Sequence, residues 1–234
     1  MVTFPGGTGV SGLEVYPWEA ADGCHGGSPH LHTVCTEGYV VVAGSGELQT
    51  LTPSGYASVP LRAGTVAWFS PGTVHRAVNH GDLRVVVVMQ NAGLPEAGDA
   101  VLTFPPDVLA DAERYRAAVT LDPDDLEGSA RRRRDLAVAG FQTLRDRLAD
   151  GDPEPLLTLY RQAAALVRPR AAAWRDIVAA GPAAAVAASS RHIDALLESD
   201  SSHLRDAQVT SADAPAPDDR AFGMCGRLDT YRTT

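Results

Sequence analysis

Between Pro29 and Gln90 the sequence falls into short alternating stretches divided by turn residues, a spacing that commits this part of the chain to an antiparallel all-β unit. Strands are predicted over 29–34, 37–43, 46–51, 57–61, 65–69, 74–80 and 83–90, with turns at Gly44-Ser45-Gly46, Pro53-Ser54-Gly55 and Pro71-Gly72. Val85-Val86-Val87-Val88 is apolar on both faces and needs cover on both sides, which a small double-sheet barrel supplies. Upstream, Gly12 to Tyr16 alternates as a strand with Leu13 and Val15 on one face, whereas residues 1–11 read as an irregular or edge segment. Trp18 follows as core or as a lid, with core expected. Cys24 and His25 lie in a turn-rich stretch, at the mouth of a site or facing solvent.

Strand parity then selects the chemistry. His30 and His32 are two apart and project from one face, their alpha carbons separated by roughly 7 Å. Glu37 follows five residues after His32, room for a short turn to return it on the next antiparallel strand. His75 arrives from a distant strand through the Pro71-Gly72 bend. Imidazoles with one carboxylate suit Fe, Mn, Ni, Cu or Zn better than Ca or Mg, whose sites are built from oxygens. Three neutral imidazoles and one carboxylate leave a divalent ion at net +1 with an open position, the mark of a catalytic rather than a structural site.

These residues resemble the two motifs of the cupins. His30, His32, Glu37 and Gly44 match the first, G-x5-H-x-H-x3-4-E-x6-G, and Gly72, His75 and Asn79 match the second, G-x5-P-x-G-x2-H-x3-N. The leading glycine of the first, Gly23 or a neighbour, is one residue out of place. Pro71 and Gly72 are adjacent where the family usually has a residue between. Both departures fall in loops and leave the ligand positions intact. The resemblance covers residues 10–92. It implies a β jelly-roll barrel over residues 1–95, with His30, His32, Glu37 and His75 holding a divalent transition metal (Fe, Mn, Ni, Zn or Cu). Activities found with this ligand set include dioxygenases, decarboxylases and isomerases.

Parity nominates the rest of the pocket. Tyr39 and Val41 share the face of Glu37, so Tyr39 is a candidate to orient substrate and Glu37 a candidate to carry a proton. Gly38, Val40 and Val42 should face away, while Ala77 and Asn79 share the face of His75. Gln90 could reach inward, Cys35 is expected to pack, and Arg62, Arg76 and Arg84 are expected to be solvated.

After Leu94-Pro95 the period changes to that of helices, predicted over 108–119, 128–149, 153–167, 170–180 and 182–199. Ala137, Phe141, Leu144 and Leu148 form one apolar stripe, and Leu156, Leu159, Ala163 and Leu166 another. Residues 96–200 therefore read as a helical region, a small bundle or helices packed on the barrel and on a second subunit, with a homodimer expected. Arg131 to Arg134 read as a solvated turn, with Asp122, Asp124, Asp125 and Glu127 able to neutralise it. His192 and His203 read as surface. Residues 201–234 are linker and tail: Ser201 to Arg220 extended, Ala221 to Tyr231 apolar enough to dock.

Composition closes off several classes. With 29 acidic against 20 basic residues the chain is acidic, which argues against a nucleic-acid partner. Every basic residue is arginine, so Schiff-base and phosphate-loop lysine chemistry is excluded. Three widely spaced cysteines point to a reduced, cytoplasmic setting. The first residues show no signal peptide, and no apolar run spans a bilayer, so no membrane partner is expected. Two functions stay open. One is a metal-dependent enzyme on a small organic molecule, with a dioxygenase-type oxidoreductase favoured and an isomerase or decarboxylase compatible. The other is a non-catalytic small-ligand binding or sensing protein whose helices mediate oligomerisation or partner contact.

Overall fold

The computed structural model describes residues 2–233. Strands β1 (Val2–Phe4), β2 (Thr8–Val15), β3 (His30–His32), β4 (Glu37–Thr52), β5 (Gly55–Arg62), β6 (Val66–Phe69) and β7 (Val74–Met89) build an antiparallel barrel. The sheet runs past the expected residue-95 boundary, because β8 (Ala100–Leu102) pairs with β3. In sheet order β2 lies beside β7, β7 beside β3 and β3 beside β8, while β4 pairs with β5, β6 and β7.

The sequence suggests two strands and a turn at 37–51 and again at 74–90; in each case there is one long strand with a corner. The β4–β7 register shifts between Val41 and Gly46, and bulges of this kind let a strand pass from one sheet to the other without losing its ladder. Gly44 makes the bend possible: its φ is +71°, and a Cβ there would lie 2.2 Å from the carbonyl oxygen of Asp82. Asn79 fixes the facing corner. Its Oδ1 accepts from the amides of Gly81 (2.9 Å) and Leu83 (3.2 Å), and its Nδ2 donates to the Val15 carbonyl (2.9 Å). Two motif positions away from the ligands thus set the shape of the barrel. Gly44→Ala is expected to cost about 2–4 kcal/mol through backbone strain and overlap, read as a lower urea midpoint at unchanged slope.

The helical region comprises α1 (Pro106–Leu109), α2 (Ala112–Val119), α3 (Leu126–Ala149), α4 (Glu154–Ala171), α5 (Trp174–Val178) and α6 (Ala184–Leu197). The first predicted helix is split because Asp111 caps α2, accepting from the amides of Glu113 and Arg114. Gly181-Pro182 is no break: a π-helical turn, Ala179–Ala183, carries the chain from α5 into α6. On α4 the inward face takes Val167 rather than Leu166, which is half-buried. Helix α3 lies hard against the barrel. Thr103 Oγ1 donates to the Ala137 carbonyl at 2.8 Å, and a Cβ on Gly140 would come within 1.8 Å of the Thr103 carbonyl oxygen.

Several arginines expected in solvent are buried. Arg76 is fully enclosed, paired with Asp22 and donating to the Gly27 carbonyl. Arg134 donates to the carbonyls of Trp18 (2.8 Å) and Glu19 (2.7 Å) and pairs with Asp135. Arg133 is also buried. Only half of the basic run is solvated: Arg131 and Arg132 pair with Glu127 and Asp125 as expected. Trp18 is half-buried rather than core, stacked on Tyr16 at 4.0 Å with Arg131 over its ring. His192 is exposed, as expected, and its ring stacks at 4.5 Å on that of His203, which is half-buried.

The tail docks. Its strands are β9 (Ala212–Asp213), β10 (Ala221–Phe222), β11 (Gly226–Asp229) and β12 (Arg232–Thr233). β11 extends the barrel sheet beside β2, with Gly226 opposite Val15, and β12 pairs with β9. No helix among the described residues is long and apolar enough to cross a membrane.

Candidate metal centre

Three neighbouring strands bring the four motif residues together. His30 pairs across β3 and β7 with His75, and His32 follows on the same face of β3. Glu37 opens β4 with Phe69 on one side and Met89 on the other. One ligand atom from each of His30, His32, Glu37 and His75 lies within 4.8 Å of all the others, and all four residues are buried.

The imidazoles are aimed by what holds their far nitrogens. His30 Nδ1 is 2.9 Å from the Ser28 carbonyl oxygen and His75 Nδ1 is 3.1 Å from that of Thr73, so both donate there. His32 Nδ1 is 3.1 Å from Asp99 Oδ2. Assigned from these partners, Nδ1 carries the proton and Nε2 of each ring is turned to the centre, the arrangement metal-binding histidines use. Burial, then His75 and His32, hold His30 well below the ordinary histidine range, so it is a neutral donor. For His32 burial works downward, but Asp99 and Glu37 on either side outweigh it and raise the imidazole to about 9. Burial likewise works to raise Glu37, yet His75 and His32 prevail and keep it an anion.

These residues fit a divalent ion. Glu37 Oε2 stands 3.0 Å from His32 Nε2 and 3.1 Å from His75 Nε2. Donors about 2.1 Å from one ion and at right angles would be separated by about 3.0 Å. Glu37 Oε2 and His75 Nε2 are moreover buried and face one another inside the cluster, with His32 Nε2 beside them, so an ion among them would meet donors already gathered at coordination spacing.

The centre opens on a cavity of about 280 Å3. Tyr39 is fully buried on the Glu37 face, its hydroxyl without a hydrogen-bond partner, and burial followed by the nearby Glu37 charge pushes its ionisation well up, so it stays a phenol. Val41 faces in, Gly38 is half-buried, and Val40 and Val42 face out, as parity requires. A larger apolar groove of about 1180 Å3 lies between Leu31, Leu94, Tyr160 and Trp174, but it includes none of the four clustered residues.

Several contributors escaped sequence reasoning. Asp99, fully buried, accepts from the amides of Thr33 (2.9 Å), Val34 (2.7 Å) and Cys35 (3.0 Å) and from Thr33 Oγ1 (2.6 Å), besides holding His32. The tail supplies Phe222, Met224, Cys225 and Leu228 to the cavity wall, with Cys225 Sγ 3.9 Å from His30 Nδ1. Arg133 lines the cavity too. Gln90 does not reach in: it is exposed, and its Oε1 accepts from the Thr36 amide. Cys35 packs, its thiol receiving Asn91 Nδ2 at 3.6 Å. His25 is exposed and Cys24 half-buried.

Comparison with known proteins places this unit. Residues 18–89 match the family model described as Cupin domain. No curated protein matches the chain. Among solved structures, an uncharacterized conserved protein with a double-stranded beta-helix domain from Klebsiella pneumoniae is 23% identical over 36% of this chain and 65% of its own, with a TM-score of 0.28. The capsular polysaccharide assembling protein CapF from Staphylococcus aureus is 20% identical over 42% of this chain and 27% of its own, TM-score 0.34. A Streptomyces Pac13 variant with uridine is 15% identical over 42% of this chain and 69% of its own, TM-score 0.32. The chain thus spans less than two thirds of the first two proteins.

Proposed function

We propose that this chain, a cupin over residues 18–89, is a metal-dependent enzyme acting on a small organic molecule held in the barrel, an oxygen-using oxidoreductase of dioxygenase type. The observation that carries the reading is the convergence of His30, His32, Glu37 and His75, three of which (His30, His32 and Glu37) line a cavity of about 280 Å3. These four residues would hold the ion. When bound, a divalent transition metal supplies an electrophilic centre and, if it is Fe, Mn, Ni or Cu, access to redox chemistry with dioxygen.

The chain's own groups do the rest. Ser28, Thr73 and Asp99 keep the three imidazoles oriented, so little reorganisation accompanies binding. Tyr39 Oη, a phenol on the cavity wall beside Glu37 and Cys225, donates to a substrate oxygen. Glu37, held as an anion, accepts a proton from substrate at its carboxylate. Apolar walls from Leu13, Val87, Met89 and the tail exclude water around the reacting end.

Elemental analysis of protein purified without a histidine tag, followed by oxygen uptake with β-diketones, flavonols and thiols, tests the reading. Stoichiometric Fe, Mn, Ni or Cu with turnover supports it. Metal-loaded protein that binds such compounds but never converts them sinks it in favour of a binding or sensing role. The proposal includes a cytoplasmic homodimer. Three free cysteines fit the first point, and the exposed Val186, Ile193 and Leu197 along α6 fit the second. A monomeric sedimentation coefficient at micromolar concentration removes the dimer.

Loading should also move a proton. With His32 raised to about 9, the metal-free protein carries an imidazolium at neutral pH, and an ion that takes Nε2 displaces that proton. Calorimetric titration of the metal at pH 7.5 in buffers of different ionisation enthalpy should report release of about one proton. The sign for stability follows. A raised pKa stabilises the fold fully below the unfolded value of about 6.5, and that contribution is lost as pH climbs through about 9. The melting temperature of metal-free protein should therefore fall across that window more steeply than that of loaded protein.

A further inference from the structure

Three arginines are buried among the described residues, and two have evident partners: Arg76 pairs with Asp22, and Arg134 holds two carbonyls and Asp135. Arg133 differs. It is 8% exposed. Its Nη2 donates to the Gly223 carbonyl at 2.6 Å and its Nη1 reaches the Val119 carbonyl only at 3.4 Å, while Nε is buried with no partner. The ionisable groups that act on it are Tyr16, Cys225 and Tyr115, with no carboxylate among them. Burial raises both phenols, so neither supplies a negative charge at neutral pH.

A buried cation without a counter-ion is expensive, since two carbonyl contacts repay only part of its desolvation. This one lines the same cavity as His30, His32, Glu37 and Tyr39; Glu96 and Ser11 also stand on that wall, and much of the rest is apolar, including Leu13, Val87, Met89 and Leu228. A planar guanidinium with free N–H groups is the side chain best matched to a carboxylate, which it can grip through two parallel hydrogen bonds. One cation neutralises one charge, which points to a monocarboxylate. At about 30 Å3 per water-sized group, the cavity of about 280 Å3 takes roughly nine non-hydrogen atoms.

We propose that Arg133 is the recognition group for an acidic substrate: a small organic monocarboxylic acid, its carboxylate held by the Arg133 guanidinium, its apolar body along the barrel wall and its other end presented to the histidine cluster. This deepens the enzyme reading above and rests on it for the word substrate. It also gives the helical region and tail a purpose, because α3 carries Arg133 and the Gly223 carbonyl braces it. Acid and metal would be held from opposite parts of the chain, so the barrel motifs alone would not determine what is bound.

The test uses the full, metal-loaded chain and three matched probes, benzoate, hexanoate and salicylate, each against its primary amide, by calorimetry or ligand-observed NMR. At least one acid should bind, with its amide about thirtyfold weaker or worse, as expected for loss of a charge-assisted pair. Arg133→Met should abolish that preference, and Arg133→Lys should keep part of it, since it retains the charge but not the fork. Melting temperature and metal stoichiometry of both variants establish that the fold and the centre persist. Amides that bind as well as acids, no binding by any of the acids, or an intact preference in folded Arg133→Met each overturn the assignment. The two proposals fail separately. Acid binding that depends on Arg133 in protein that holds no metal leaves this inference standing and removes the enzyme. Metal-dependent turnover of neutral compounds without acid binding does the reverse.

Discussion

His75→Ala is expected to abolish stoichiometric metal binding, a loss well beyond the roughly 10–100-fold that follows removal of an outer partner. His75 joins two halves of the cluster, since it pairs with His30 on β3 while its Nε2 stands 3.1 Å from Glu37 on β4. Alanine also leaves a hole. The ring packs 4.2 Å from those of both His30 and Phe69 with no solvent exposure, so a cost of about 2–4 kcal/mol to the fold is expected beside the lost ligand. Glu37→Gln separates the two effects, because it keeps volume and removes only the anion. Elemental analysis, calorimetric metal titration and chemical denaturation of both variants read these outcomes. A His75→Ala protein that still carries one ion per chain, with unchanged affinity, would show that the four side chains converge for some reason other than coordination.

The four clustered residues were legible because their placement follows from local rules. Alternation along a strand sends His30 and His32 to one face whatever surrounds them, and the same rule puts Tyr39 beside Glu37 and turns Val40 and Val42 out. The barrel was legible through turn spacing, although Gly44 reads as the end of a strand when it is a corner inside one. A glycine with positive φ serves both purposes, and only the facing strand, with Asn79 fixing the loop at Gly81 and Leu83, decides between them. What escaped was tertiary. A run of four arginines covers a full turn of helix, and which two are buried depends on α3 lying against the barrel and on carbonyls more than 80 residues away, Trp18, Glu19 and Gly223. The short strand Ala100–Leu102 and the tail strands are too brief to announce themselves. They form because β3 and β2 offer open edges.

Asp99 illustrates the same limit and carries the other large effect. Nothing local marks it, since its importance comes from meeting residues 32 to 35 across 64 or more positions of chain. Its two oxygens accept from three backbone amides, one hydroxyl and the His32 imidazole, so both are fully occupied as acceptors. Burial works against its charge, but these hydrogen bonds, His32 first, hold it well below the ordinary carboxylate range. Asp99→Asn, close to isosteric, therefore does not substitute: whichever oxygen becomes an amide nitrogen turns two hydrogens toward groups that also donate. The expected cost is about 3–5 kcal/mol, the range for breaking a buried charged network. Metal affinity should fall roughly 10–100-fold at the same time, because His32 loses the partner that fixes its tautomer and ring. Denaturant midpoints and competitive metal titration measure the two consequences independently. Because the native carboxyl is depressed, its stabilisation is fully present above the unfolded value of about 3.9 and is lost progressively as pH falls from there towards the much lower native value, so the margin between wild type and variant should narrow on acidification. A variant that stays weaker than wild type by the same margin at pH 3 would assign Asp99 to packing alone. A narrowing margin would identify the charge at position 99 as what joins the loop after β3 to the orientation of His32 on it.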